Sequence, residues 1–149
     1  NIIPESLYML GTIRTFDVNM KKQVHKRIRN IVQMTAEANN ATATIDINKG
    51  YPVTYNDPGL YQEMFSTFER IAGKENVNII KAVTGAEDFS FFQQQVPGIY
   101  FFIGGIPKDF DPAKVADHHT PDFYVDDSGM LLGMKTMTAL TLDYLHKSH

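Results

Sequence analysis

The segment Asp117-His118-His119-Thr120-Pro121-Asp122-Phe123 sets two imidazoles in a short loop just ahead of the helical pattern that closes the chain. Imidazole is the commonest metal-ligating side chain near neutral pH. Pro121 restricts Thr120 to extended geometry, which would fix the direction of a neighbouring ring. Side chains at adjacent positions of extended backbone point to opposite sides, so one histidine of the pair, not both, is expected to face an ion. A catalytic zinc site takes about three protein ligands plus a water, and no other stretch of this chain has the spacing to supply the rest. The plain alternative is a hydrogen-bonded loop pair that meets no ion.

Other residues could serve such chemistry from the substrate side. Glu87-Asp88 follows Gly85 at an expected strand-to-helix turn, where open α/β sheets form binding crevices. The competing role for these acids is to cap a helix N-terminus and complement its dipole. Arg14, inside Gly11-Thr12-Ile13-Arg14-Thr15, has the fork to grip a carboxylate through two parallel hydrogen bonds, or else is a solvated strand residue. Lys49 and Tyr51 lie where a ligand could be reached, although surface roles suit them as well. His25, His146 and His149 fall on a charged helix face and in a tail, and carry no assignment. The Phe91-Phe92 and Phe101-Phe102 pairs read as core.

The elements that must position these groups alternate between strand and helix patterns. Residues 7–15 are rich in β-forming types and predict a strand. From Asn19 the period changes: Met20, Val24, Ile28 and Ile31 share one face, and Lys21, Lys22, Lys26, Arg27 and Arg29 fall mostly on the other, predicting an amphipathic helix that ends near Asn39-Asn40. Residues 41–47 alternate as a half-buried strand should. Gly50-Tyr51-Pro52 and Asn56-Asp57-Pro58-Gly59 are the strongest punctuation, and a domain crossing is expected there. Asp57 can cap the next helix, with Pro58 in its first turn and Leu60, Tyr61, Met64, Phe65, Phe68 and Ile71 inward, as far as Gly73. Residues 77–83 and 99–103 read as short buried strands flanking a short helix. A last helix follows Asp126-Asp127-Ser128, with Leu131, Met134, Thr138, Leu142 and Leu145 on one stripe. The pattern predicts an α/β fold: a strand, helix, strand unit that fits half of a two-layer α+β domain over residues 1–50, then α/β layering over residues 51–149.

Composition excludes several classes. A net charge of −3, with cations scattered among acids, leaves no basic stripe for nucleic acid. No apolar run approaches the ~20 residues of a membrane span. The absence of cysteine removes disulfides, thiolate metal sites and a cysteine nucleophile. The chain begins at Asn1, and Asn1-Ile2-Ile3-Pro4 reads as the middle of a connection, so a piece of a longer protein is expected.

Five blocks in order carry a resemblance. Asn1-Ile2-Ile3-Pro4, Gly11-Thr12-Ile13-Arg14-Thr15-Phe16-Asp17, Tyr51-Pro52 with Asn56-Asp57, Gly85-Ala86-Glu87-Asp88-Phe89 and His119-Thr120-Pro121-Asp122-Phe123 together resemble the metal-dependent amidohydrolases. That group includes hippurate hydrolase, N-acyl-amino-acid amidohydrolases and plant auxin-conjugate hydrolases, relatives of the aminoacylase and carboxypeptidase G enzymes. The resemblance implies a catalytic domain interrupted by a ferredoxin-like lid, with residues 1–50 as the second half of the lid and dimerisation domain and residues 51–149 as the return into the zinc-exopeptidase-like catalytic domain. It puts the metal-ligand role on His119 rather than His118. It puts substrate-binding roles on Asn1, Arg14, Glu87 and Asp88.

It further implies two divalent ions, with zinc, manganese, cobalt and nickel all admissible. The substrate would be an N-acyl amino acid or a related peptide-like molecule, with no nucleic-acid or membrane partner. A homodimer through the lid and a cytoplasmic location are expected, an exported form staying open. The glutamate base and the other ligands belong to the family's amino-terminal half, so no catalytic base is assigned here and the 149 residues alone are expected to be inactive. Two other classes stand beside this one: a binding or assembly module with exposed strand edges, and a catalytically dead homologue.

Overall fold

The structure is a computed structural model that describes residues 2–147. Four α-helices form: α1 (Val18–Ala38), α2 (Pro58–Ala72), α3 (Phe89–Gln93) and α4 (Met130–Lys147). Single 3₁₀ turns occupy Lys74–Asn76 and Asp127–Gly129. The chain divides into two units, residues 1–54 with 82–91 and residues 55–81 with 92–149.

In the first unit, α1 begins where Asp17 accepts a hydrogen bond from the Met20 N–H at 2.6 Å. That satisfies one of the orphan donors of the first turn. The helix ends where the Asn39 side chain turns back to the Thr35 carbonyl at 2.8 Å and Asn40 takes a left-handed backbone, φ 54°. Two cations expected on the solvent face turn instead to the segment that follows. Arg29 Nη1 donates to the Ile45 carbonyl at 3.1 Å, and Lys21 Nζ donates to the Lys49 carbonyl and, at 3.4 Å, to that of Tyr51. Long side chains whose apolar stems lie along the helix can deliver their charged ends in this way.

The strands expected over residues 7–15, 41–47, 77–83 and 99–103 are not formed; no strand is present among the described residues. A strand exists only through its ladder, and no backbone hydrogen bond joins these segments to one another. Leu7, Tyr8, Met9 and Leu10 are each more than 80% exposed, whereas a strand packed on one face would hide every second residue. The periodicity marks segments suited to a sheet, but no neighbouring strand forms among the described residues to make that suitability count. The fold seen is therefore helical with irregular connections rather than layered α/β.

In the second unit, α2 and α4 pack together. Asp57 caps α2 by accepting from the Leu60 N–H at 2.8 Å, Pro58 opens the first turn, and Gly73 ends the helix at φ 87°, a left-handed value that favours glycine. The inward face is the expected one: Met64 and Thr67 are fully buried, and Leu60, Tyr61, Phe65, Phe68 and Ile71 are half-buried. On α4 the buried face differs from the apolar stripe. Leu131, Met134, Leu142 and Leu145 are exposed, while Leu132, Gly133, Thr136, Ala139, Leu140 and Asp143 turn inward.

Polar contacts decide the rotation of α4. Asp143 Oδ2 accepts from Thr67 Oγ1 at 2.5 Å and from Arg70 Nη2 at 2.6 Å, and Lys147 Nζ donates to the Glu63 carbonyl at 2.8 Å. Thr136, 2% exposed, returns its hydroxyl to the Leu132 carbonyl at 2.8 Å, so its polar atom is not stranded by burial. Phe68 meets Phe101 edge-on, with ring centroids 5.0 Å apart. Among the described residues Met64 is the one large apolar side chain fully withdrawn from water. No helix among them is long and apolar enough to cross a membrane.

Candidate functional site

The His-Thr-Pro loop lies in the second unit and is shaped by local hydrogen bonds. Thr120 Oγ1 donates to the Asp117 carbonyl at 2.7 Å, and the Phe123 N–H donates to the Thr120 carbonyl at 3.2 Å. Between these turns His119 adopts φ 65°, in the left-handed region. The histidine pair therefore does not lie on the extended backbone assumed for it. Left-handed backbone at a residue with a Cβ costs on the order of 1–3 kcal/mol and concentrates at functional positions. The rings of His118 and His119 are 6.4 Å apart and 59° inclined. Both rings are exposed and neither makes a hydrogen bond among the described contacts; they differ in that His118 lies against Phe123, with centroids 4.6 Å apart and planes at 38°. One imidazole is thus packed against an aromatic neighbour, and the other has no such neighbour apart from the His118 ring.

Downstream, Asp126 fixes the approach to α4. Its carboxylate accepts from the Ser128 N–H at 3.0 Å and from Ser128 Oγ at 2.7 Å, which holds its pKa below the ordinary aspartate value, the backbone donor being the larger cause. Asp126 caps the Asp127–Gly129 turn that leads into α4.

Of the remaining site residues, Asn1 lies outside the described residues. Arg14, Glu87 and Asp88 all fall in the first unit. Arg14 Nη1 donates to the carbonyl of Thr84 at 2.9 Å across 70 residues of sequence, so its guanidinium is committed in part to backbone. Neither Glu87 nor Asp88 accepts a hydrogen bond through its carboxylate among the described contacts, which sets aside the capping role for them. The turn into α3 is closed instead by Ser90, fully buried, whose Oγ donates to the Glu87 carbonyl at 2.6 Å. Tyr51 meets Phe91 edge-on at 5.7 Å. Thr84 and Ser90 were missed in the sequence because their contribution is a carbonyl and a local turn; the three-residue spacing from Glu87 to Ser90 was the one available signal.

The Asn56-Asp57 block has a structural task in the second unit. The Asn56 side-chain amide donates to the Tyr100 carbonyl at 2.8 Å and accepts from the Tyr100 N–H at 2.7 Å, while the Asp57 N–H donates to the Gly98 carbonyl at 3.1 Å. A side chain thus supplies both halves of the pairing that a neighbouring strand would give to Tyr100.

Imidazole chemistry and the unengaged ring make His119 fit a divalent ion as one ligand. Among the described residues no three histidine or carboxylate side chains gather into an ion site.

Comparison with known proteins bears on the whole chain. It is 29% identical to the putative amidohydrolase YhaA of Bacillus subtilis, over 97% of this chain and 36% of that protein. It is 32% identical to the IAA-amino acid hydrolase ILR1-like 4 of Arabidopsis thaliana, over 97% of this chain and 33% of the relative. It is 32% identical to thermostable carboxypeptidase 2 of Saccharolobus solfataricus, over 99% of this chain and 36% of the relative. The chain therefore spans about a third of the length of the curated relatives it matches. No solved structure matches it significantly. Residues 4–143 match the model of peptidase family M20/M25/M40, a match that takes in the acidic loop, the asparagine clamp and the His-Thr-Pro turn, and the chain belongs to that family of hydrolases.

Proposed function

We propose that this chain is the carboxyl-terminal part of a metal-dependent amidohydrolase that cleaves the amide bond of N-acyl amino acids, with His119 as a metal ligand. The observation that carries the proposal is the loop geometry: His119 has a left-handed backbone and an exposed imidazole without a hydrogen bond, while the ring of its neighbour His118 lies against Phe123. A divalent ion held there would lower the pKa of a bound water and polarise the scissile carbonyl. Asn1 and Arg14 bind the substrate, Arg14 through the guanidinium donors that Thr84 does not use, and Glu87 and Asp88 orient it from their loop.

Residues 1–50 are the second half of a ferredoxin-like lid and residues 51–149 the return of the catalytic domain. The division of the chain after Thr54 supports a crossing at that point, and Ala82–Phe91 attaches to the first unit through Arg14 and Tyr51. Names among the relatives favour amides of amino acids, an IAA-amino acid hydrolase for one, while a carboxypeptidase keeps peptide-like substrates in view. Zinc, manganese, cobalt and nickel all suit an imidazole and carboxylate site.

Chelator-sensitive release of free amino acid from hippurate or N-acetyl amino acids by the full-length protein tests the proposal. Absence of turnover with every metal and acyl group tried would sink it. The 149 residues alone are expected to release nothing, because they bring one ligand and no base, and turnover by them would overturn that part. A second reading, as an assembly module, draws on the exposed Leu7–Leu10 run, a segment suited to pairing with another copy. Sedimentation of the full-length protein across a concentration series separates the two, and a Leu10→Lys variant that dissociates while keeping turnover would show both at once.

A further inference from the structure

Arg14 reaches across 70 residues of sequence to one backbone carbonyl, and the segment it holds is short and pinned at its other end. The hydrogen bond from Nη1 to Thr84 O, 2.9 Å long, fixes the residue just before Gly85. At the far end Ser90, fully buried, ties its hydroxyl to the Glu87 carbonyl, the Phe91 N–H bonds to the Asp88 carbonyl at 2.9 Å, and the Phe91 ring abuts Tyr51. Between the anchors lie Gly85, Ala86, Glu87 and Asp88, and a Cβ placed on Gly85 would meet nothing within 4 Å. Without Arg14 this stretch has open space on one side and no tie at its upstream end.

We infer that Arg14 is a positioning residue: through the Thr84 carbonyl it fixes the upstream end of the Gly85–Asp88 loop, and so the direction in which Glu87 and Asp88 present their carboxylates. This rests on the reading of those two acids as substrate-orienting groups. The two tasks of the guanidinium make different demands. Holding one carbonyl needs a single cationic donor at the end of a long stem, which lysine also supplies; gripping a substrate carboxylate through two parallel bonds needs the planar fork, which lysine lacks.

The test uses the full-length protein with Arg14→Lys, Arg14→Ala and Arg14→Gln, and two readouts. Amide exchange at Ser90 and Phe91, measured without substrate, is expected to quicken about 5- to 10-fold in Arg14→Ala and Arg14→Gln, as the loss of one hydrogen bond at a locally opening turn implies. Arg14→Lys is expected to return it to within about 2-fold of the parent. In hydrolysis, Arg14→Lys should recover most of kcat while leaving KM raised, whereas Arg14→Ala loses in both. Exchange unchanged in Arg14→Ala and Arg14→Gln, or kcat no better in Arg14→Lys than in Arg14→Ala, would overturn the inference. Should one variant not fold, the remaining pair still decides. A parent protein that hydrolyses no N-acyl amino acid would defeat the proposed function, while the exchange rates would still settle whether Arg14 holds the loop.

Discussion

Asn56 and Tyr100 exchange two hydrogen bonds, the Tyr100 N–H donating to Asn56 Oδ1 at 2.7 Å and Asn56 Nδ2 donating to the Tyr100 carbonyl at 2.8 Å. Only a carboxamide offers a donor and an acceptor at that span. Asn56→Ala is expected to cost about 1–2 kcal/mol, since it removes both hydrogen bonds to the Tyr100 backbone. Asn56→Asp should be no milder, because it sets a carboxylate oxygen against the Tyr100 carbonyl. The urea midpoint of the full-length protein checks both, and an unchanged midpoint in Asn56→Ala would show that the clamp is idle.

The pairing of α2 with α4 should weaken in acid. Asp143 is held below the ordinary aspartate pKa, first by the hydrogen bond from Thr67 and then by the one from Arg70. A carboxyl whose folded pKa is depressed contributes its stability fully above the unfolded value of about 3.9 and loses it as pH falls through the lower folded value. Stability owed to Asp143 is therefore flat from pH 8 to 5 and declines below about pH 4. Asp143→Asn should be less stable at neutral pH and show a shallower decline. Parallel pH profiles for the two proteins would contradict the assignment.

Three glycines around α4 behave oppositely when given a side chain. A Cβ on Gly129 would stand 2.8 Å from the Gly104 carbonyl oxygen, so backbone must shift, and Gly129→Ala is expected to cost about 1–3 kcal/mol. On Gly133, inside the helix, the same atom meets Ile103 at an ordinary 3.6 Å. Gly133→Ala should therefore stabilise by up to about 1 kcal/mol through helix propensity. Gly104→Ala meets nothing within 4 Å and should be near neutral. Thermal midpoints in that order, Gly133→Ala highest and Gly129→Ala lowest, are the expected outcome.

What the sequence made legible was local. Asp57, Pro58 and Gly73 announced the ends of α2 because caps depend on residues three or four apart, whereas the Asp17 cap of α1 was not foreseen. The inward face of α2 was legible for the same reason. The buried face of α4 was not, because Thr67, Arg70 and Asp143 outweigh its leucine stripe, and a contact across 76 residues leaves no periodic trace. The β-patterned segments failed for a related cause: alternation states a preference for a ladder, but the ladder needs a partner strand. At the candidate site, the histidine loop and Glu87-Asp88 stood out by residue type. The left-handed turn at His119 and the bond from Arg14 to Thr84 did not, since backbone geometry and carbonyl partners carry no letter in the sequence.

The left-handed backbone at His119 makes a separable prediction. His119→Gly removes the imidazole and relieves the backbone, whereas His119→Ala removes the imidazole alone. In metal-free protein His119→Gly should be the more stable of the two by about 1 kcal/mol, and both should lose the same metal affinity. Equal stability of the two variants, measured by urea unfolding, would show that the turn stores no strain.

Metal binding by the full-length protein with His118→Ala beside His119→Ala is the deciding measurement, made by titration of the metal-stripped forms with zinc or manganese. Loss of the ligand itself should exceed the 10- to 100-fold that outer contacts typically cost, so His119→Ala is expected to fall by more than about 100-fold and His118→Ala by less than about 10-fold. Equal losses, or a larger loss at His118, would contradict the proposal that His119 is a metal ligand.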